Sequence, residues 1–118
     1  MVFARRETPF SSPSIYKINL NGTRLIQLVK SVEKGDDHGF PSYSHGGDRI
    51  AFSSSRKGIV IIDADGRNER RIYKRISAHP SWSPDDQYLV FHGATDTPAR
   101  ARLFIIKADG TGLRQLTF

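Results

Sequence analysis

The sequence predicts an all-β protein assembled from repeated antiparallel sheets, and two observations carry that prediction. Three turn dipeptides, Asn21-Gly22, Asp65-Gly66 and Asp109-Gly110, recur 44 residues apart, each closing an apolar segment: IYKINLNG, IVIIDADG and LFIIKADG. Between them, short strand-like runs rich in β-branched and aromatic residues repeat in a fixed order, and no segment has helical periodicity. A period of about 40 to 45 residues built from strands is the signature of β-propeller blades. The expected architecture is therefore about two and three-quarter four-stranded antiparallel blades, either part of a propeller or one completed by oligomerisation.

Each blade is read as strands A to D. Strand A is PSYS from Pro41 and PSWS from Pro80; strand B is RIAFSS and YLVFHG; strand C is IVIIDA and LFIIKA; strand D is RRIY and RQLTF. Strand C is apolar at consecutive positions (Ile59, Val60, Ile61, Ile62 and Leu103, Phe104, Ile105, Ile106), which predicts burial on both faces. Val2-Phe3 and Ile15 match Val90-Phe91 and Leu103 at twice the 44-residue period, so the first blade is expected to hold only strands B, C and D. The expected organisation is an incomplete blade over residues 1–30 and blades over 41–74 and 80–118, within a single repeat region.

Turn chemistry agrees with this layout. Asn-Gly and Asp-Gly suit the tight C-to-D hairpins, because glycine accepts the positive φ that such turns require. Between A and B, Ser83-Pro84-Asp85-Asp86 supplies a fixed proline φ and acids that bond the backbone, while Ser44-His45-Gly46-Gly47 reaches a similar turn with glycines. Asp86 is thus expected to take the position that a glycine holds in the earlier copy. Length variation falls in two loop types, D-to-A (VKSVEKGDDHGF) and B-to-C (ATDTPARAR), which propeller topology puts on one face.

The stretches PSWSPDDQYLVFHG and LFIIKADGTGLRQLT resemble the TolB-type propeller repeat, a WD-like family of the pattern PxWSPDGxxIAFxS, hairpin, IYxxDxDG, then a strand ending in LT. The resemblance spans nearly the whole chain; it departs at Asp86, at His45-Gly46 and in the long first D-to-A loop. It implies a scaffold that binds envelope proteins in the periplasm, or the propeller domain of a prolyl-oligopeptidase-like or tricorn-like peptidase. The repeat motif residues are structural in all of these, so the resemblance carries over no catalytic residue.

Composition adds bounds. There is no cysteine, so disulfides and thiolate metal sites are excluded, and no apolar run has signal-peptide or membrane-spanning length. As written, the sequence is expected to be soluble and unexported, against the periplasmic setting that the resemblance implies. No GxSxG elbow, phosphate-cradling loop or HExxH spacing occurs, and Asp63-Ala64-Asp65-Gly66 lacks the remaining ligands of a calcium loop. The expectation is a non-enzymatic chain without cofactor or metal. Ser53-Ser54-Ser55 has no identifiable catalytic partner and is read as a strand end. Trp82 and Tyr43 occupy equivalent A-strand positions and are read as inter-blade packing. His38 and His79 precede the A strands, where side chains can point into a propeller's central funnel, and His92 ends a B strand; the two former are the candidate funnel residues.

The net charge of +6 acquires a direction once the loops are sorted by face. The D-to-A and B-to-C loops share a rim holding Arg5, Arg6, Lys30, Lys34, Arg56, Lys57, Lys74, Arg75, Arg100 and Arg102 against five acids. The opposite rim sets six aspartates against Arg49, Arg67 and Lys107. A basic face over an acidic one predicts docking of an acidic protein partner, with Arg5, Arg6, Arg56, Lys57, Lys74, Arg75, Arg100 and Arg102 as the candidate contact set. Nucleic acid is disfavoured, because aromatics are not interleaved with these cations.

Overall fold

A computed structural model describes residues 1–8, 11–30, 35–94 and 102–117. Strands β1 (Val2–Arg5), β2 (Ser14–Lys17) and β3 (Ile26–Val29) form a three-stranded sheet. A second sheet runs β4 (His38–Tyr43), β5 (Arg49–Ser54), β6 (Gly58–Asp63) and β7 (Arg70–Tyr73), and a third runs β8 (Ser77–Trp82), β9 (Tyr88–Gly93), β10 (Arg102–Lys107) and β11 (Arg114–Gln115). Every pairing is antiparallel between chain neighbours, so each sheet is a meander. No helix among the described residues is long and apolar enough to cross a membrane.

The sheets stack face to face, and β6 shows why. Its side chains alternate between two cores: Ile59 and Ile61 join Ile72, Tyr73, Trp82, Leu89, Phe91, Phe104 and Ile106, whereas Val60 and Ile62 join Ile15, Ile50 and Phe52. All four β6 residues are fully buried. Period-2 geometry sends successive side chains to opposite faces, so an unbroken apolar strand needs a sheet on each side, and the second sheet has one. The same expectation fails for β10. Phe104 and Ile106 are buried against the second sheet, but Leu103 and Ile105 are only half-buried, since no described sheet covers the third sheet's other face.

The A strands are longer than their sequence signature. They begin at His38 and Ser77, three residues before Pro41 and Pro80, and each breaks register between the residue after its first and the residue after its proline. At each break one residue adopts a left-handed backbone, Phe40 (φ 51°) and His79 (φ 56°), and the following proline sits in the bulge. A proline placed there withholds no ladder donor, which is why a strand can carry it. At the other end β11 is shorter than expected, covering Arg114–Gln115 alone.

The turns also lock the sheets together. Asp86 has φ 59°, matching Gly47 at φ 77° in the preceding sheet. Its carboxylate accepts hydrogen bonds from the His45 amide (2.7 Å) and the Gly46 amide (2.8 Å) of that sheet's A-to-B turn. Arg49 donates back to the Asp86 carbonyl (2.9 Å) and lies over the Trp82 ring at 4.7 Å, while Trp82 Nε1 donates to the Ser42 carbonyl (3.0 Å). An aspartate in place of glycine thus accepts a strained φ and links two sheets. Burial pulls its carboxyl upward, but the Gly46 and His45 amides outweigh this and hold it below the usual carboxylate range.

The hairpin glycines report the same stacking. A Cβ at Gly66 (φ +90°) would lie 2.8 Å from the Leu28 carbonyl of the first sheet, whereas one at Gly22 (φ +82°) would meet nothing within 4 Å. Both alanine substitutions put a side chain into a left-handed backbone, but only Gly66→Ala also forces two sheets apart. Expected losses are roughly 1 kcal/mol for Gly22→Ala and roughly 3 kcal/mol for Gly66→Ala, read by urea denaturation. Equal losses would mean that the first two sheets are not in contact at this turn.

Candidate functional site

Among the described residues, a B-to-C turn and a D-to-A loop meet on one rim. The turn after β5 is bound to the loop before β4: Asp37 N donates to Ser55 Oγ (2.8 Å), Ser55 Oγ to the Gly35 carbonyl (2.7 Å), and Ser55 N to the Asp37 carbonyl (3.0 Å). On this platform Arg6, Arg56, Lys74 and Arg75 are exposed. Among the described residues Lys57 Nζ meets Glu69 at 3.1 Å and Arg6 meets Asp37 at 3.8 Å. Arg102 is half-buried, and Arg5 stands at the end of β1 with its guanidinium 5.9 Å from the Tyr16 ring. Arg100 lies outside the described residues, as do Lys34, Glu33 and Asp96.

One further cation was not foreseen. Arg71, assigned by the sequence to a D strand, reaches the rim by donating from Nε to the Lys57 carbonyl (3.1 Å). Its position one residue from the β7 bulge re-aims it, and no spacing rule in the sequence signals a bulge there.

The opposite rim is less acidic than residue counting suggests. Arg70 turns to it and contacts Asp63 at 3.3 Å, and Lys17 Nζ donates to the Ala64 carbonyl (3.1 Å), so added cations offset its aspartates. A groove of about 890 Å3 between the second and third sheets mixes Arg49, Arg70 and Lys107 with Asp85, Asp86 and Asp109. The charge contrast between rims therefore rests on the basic one. At the turns the aspartates bond nearby side chains as well as backbone amides. Asp109, for example, is held low first by the Thr111 hydroxyl and then by the Thr111 amide.

His38 does not point into open space. It is 3% exposed, with Nε2 3.2 Å from Asp36 Oδ2 and its ring 5.3 Å from that of Phe52. The loop carboxylate gives the buried imidazole a polar partner in the interior. Asp36 itself is 4% exposed and also accepts from Ser54 Oγ (2.5 Å) and the Arg56 amide (3.3 Å). Burial raises the Asp36 carboxyl, but the Ser54 hydroxyl and the neighbouring His38 pull harder the other way and leave it below its ordinary value. His38 Nδ1 has no hydrogen-bond partner among the described residues.

The arrangement places serine, aspartate and histidine together without the order nucleophilic catalysis needs. Both Ser54 and His38 bond to Asp36, one to each carboxylate oxygen, whereas catalysis requires the imidazole between hydroxyl and carboxylate. It ties the D-to-A loop to the B strand. The third sheet lacks the network, because Gly93 stands where Ser54 does and Phe104 fills the space, 3.0 Å from a Cβ at Gly93.

His79 is exposed and adjoins His92 (ring centroids 5.6 Å) and Phe40 (3.8 Å). These three rings line the side where β4 and β8 pack against each other. His38 belongs to a separate, interior cluster. Among the described residues no group of three or more metal-ligating side chains is assembled.

No protein-family model matches this sequence, and no curated protein matches it either. Solved structures do. The putative TolB from Agrobacterium tumefaciens superposes with a TM-score of 0.75 over 97% of this chain at 22% identity. The three sheets are β-propeller blades. TolB from Acinetobacter baumannii gives a TM-score of 0.79 over 99% of the chain at 19% identity, and an oligogalacturonate lyase in complex with manganese gives 0.68 over 98% at 19%. The chain spans 44%, 29% and 37% of these three structures respectively, so it corresponds to less than half of each. Such identities establish a shared fold, and the fold serves a TolB and a lyase alike.

Proposed function

We propose that this chain is a non-enzymatic protein-binding module of TolB-like propeller type, which docks an acidic protein surface against its basic rim. The observation that carries this reading is the convergence of Arg6, Arg56, Arg71, Lys74 and Arg75 on a platform of bonded loops, all of them exposed. Loops tied by hydrogen bonds spare a binding surface part of its ordering cost, and a predominantly basic rim favours acidic partners over basic ones. By the same likeness the proposal extends to a periplasmic setting and to a role within a larger or oligomeric propeller. The manganese-bound lyase among the neighbours favours a second reading, in which these blades belong to a propeller enzyme whose chemistry sits on further sequence.

The experiment is a charge reversal. With Arg56, Lys74 and Arg75 replaced by glutamate, capture of a labelled acidic peptide, measured by fluorescence anisotropy at low salt, is expected to weaken by at least about tenfold with the fold intact by circular dichroism. For the unsubstituted chain, raising the salt from about 0.05 to about 0.5 M should weaken capture in the same direction. Capture that ignores both changes removes the rim from the function. Detection of a hydrolase or lyase domain contiguous with this sequence would favour the enzyme reading.

A further inference from the structure

His79 and His92 lie side by side because of a bulge. Between β8 and β9, Ala78 stands opposite His92 and Ser81 opposite Val90, so His79 and Pro80 share the place opposite Phe91. Regular alternation would send a side chain at that place to the same face as Phe91, which is fully buried toward the second sheet. Instead His79 takes a left-handed backbone (φ 56°), which turns its side chain out of that face and brings its ring centroid to 5.6 Å from that of His92. Both residues are exposed. Both also belong to one sheet, so their adjacency is set by the register of a single strand pair.

The second sheet repeats the bulge without the imidazoles. There Phe40 (φ 51°) and Pro41 share the place opposite Phe52, and the residue matching His92 is Ser53, whose hydroxyl donates to the Gly39 carbonyl (3.1 Å). Phe40 instead supports the pair next door. Its ring centroid lies 3.8 Å from that of His79, with the two planes at 39°. An aromatic ring packed against an imidazole restricts its rotation before any ligand arrives, which lowers the ordering cost of binding.

We propose that His79 and His92 form a two-histidine chelate for a divalent transition-metal ion that favours imidazole, binding Cu2+ most tightly and Ni2+ or Zn2+ less so. The spacing fits this use. With a metal–nitrogen bond of about 2.1 Å and a ring centroid about 1.1 Å behind its nitrogen, two imidazoles at about 110° round one ion have centroids about 5.2 Å apart. Small side-chain rotations cover the difference from the 5.6 Å observed. A hard ion such as Mn2+ prefers oxygen ligands, and among the described residues no carboxylate completes a group of three with the pair. Two protein ligands leave the remaining coordination positions to water. The site does not depend on the basic rim's capture of an acidic partner.

The test titrates the full chain with Cu2+ by calorimetry, in about 0.15 M salt so that the charges of the rim are screened. One saturable site is expected, weakened at least about tenfold by His79→Gln and to a similar extent by His92→Gln, and unchanged by His45→Gln. Mn2+ should bind at least about tenfold more weakly than Cu2+. Diamagnetic Zn2+ should shift the imidazole proton signals of His79 and His92 and leave those of His38 and His45 in place. That measurement needs no variant and stands if one fails to fold. Loss of affinity in only one of the two variants or in neither, equal binding of Mn2+, or shifts at any other set of histidines overturns the proposal.

Discussion

Replacing Phe91 with alanine is expected to lower folding stability by about 4 kcal/mol. Phe91 is fully buried in β9, with its ring 4.6 Å from Tyr73 of the preceding sheet and 5.8 Å from Phe104 of its own. Removing it deletes apolar contact and opens a void between two sheets that are held at a fixed separation by the Asp86 and Trp82 hydrogen bonds, so the cavity cannot readily collapse. Phe91→Leu keeps most of the volume and should lose roughly half as much. Guanidinium denaturation followed by Trp82 fluorescence would read both. A Phe91→Ala chain as stable as the parent would show that the second and third sheets do not share a core.

Replacing Asp36 with alanine is expected to lower stability by about 3 kcal/mol, because it leaves two buried partners, the Ser54 hydroxyl and His38 Nε2, without the acceptor opposite them. The pH dependence follows from the same contacts. Asp36 is held below its ordinary value of 3.8, so its contribution is fully present above that value and is lost as pH falls through the depressed one. Asp36→Asn should therefore be less stable than the parent at neutral pH, and the gap should narrow in acid. A gap that stays constant down to about pH 2 would mean that the carboxylate charge adds nothing. Asp63, Asp85, Asp86 and Asp109, all held low, contribute to the acid limb in the same direction. Asp63 is lowered first by the Asn68 hydrogen bond, and Asp109 first by that of Thr111.

Much of this fold was legible in the residues, for reasons that are local. A 44-residue recurrence of Asx-Gly turns needs no long-range information, and consecutive apolar residues in β6 announce two covered faces by themselves. The A strands were legible only from Pro41 and Pro80 onward. The residues before each proline pair across a bulge at Phe40 or His79, and neither side chain favours the left-handed backbone it adopts. Strand C of the third sheet carried the same apolar run as β6 yet covers one face, since pattern reports what a strand can bury and not what is there to bury it.

The site was harder to read. Which loops form the basic rim follows from topology, and so did Arg6, Arg56, Lys74 and Arg75. Arg70 and Arg71 are adjacent in sequence but serve opposite rims, a consequence of strand alternation next to a bulge. His38 is read from the sequence as a funnel candidate because its partner, Asp36, lies in a loop and is secured by Ser54, 18 residues away. That network occurs in a single blade, so aligning the repeats on one another hides it. Asp86 looked like a departure from a glycine turn. Its two bonds to the neighbouring blade became visible only when the turns were placed side by side.

The rim and the groove both depend on β6 being the middle layer between two blades. Methyl-to-aromatic nuclear Overhauser contacts test this directly. The Ile59 and Ile61 methyls should show contacts to residues of the third sheet, Phe91 and Phe104 among them, and the Val60 and Ile62 methyls to Ile15 and other residues of the core shared with the first sheet. Contacts from odd and even positions to the same partner sheet, or from either set to none, would contradict the stacked-blade arrangement.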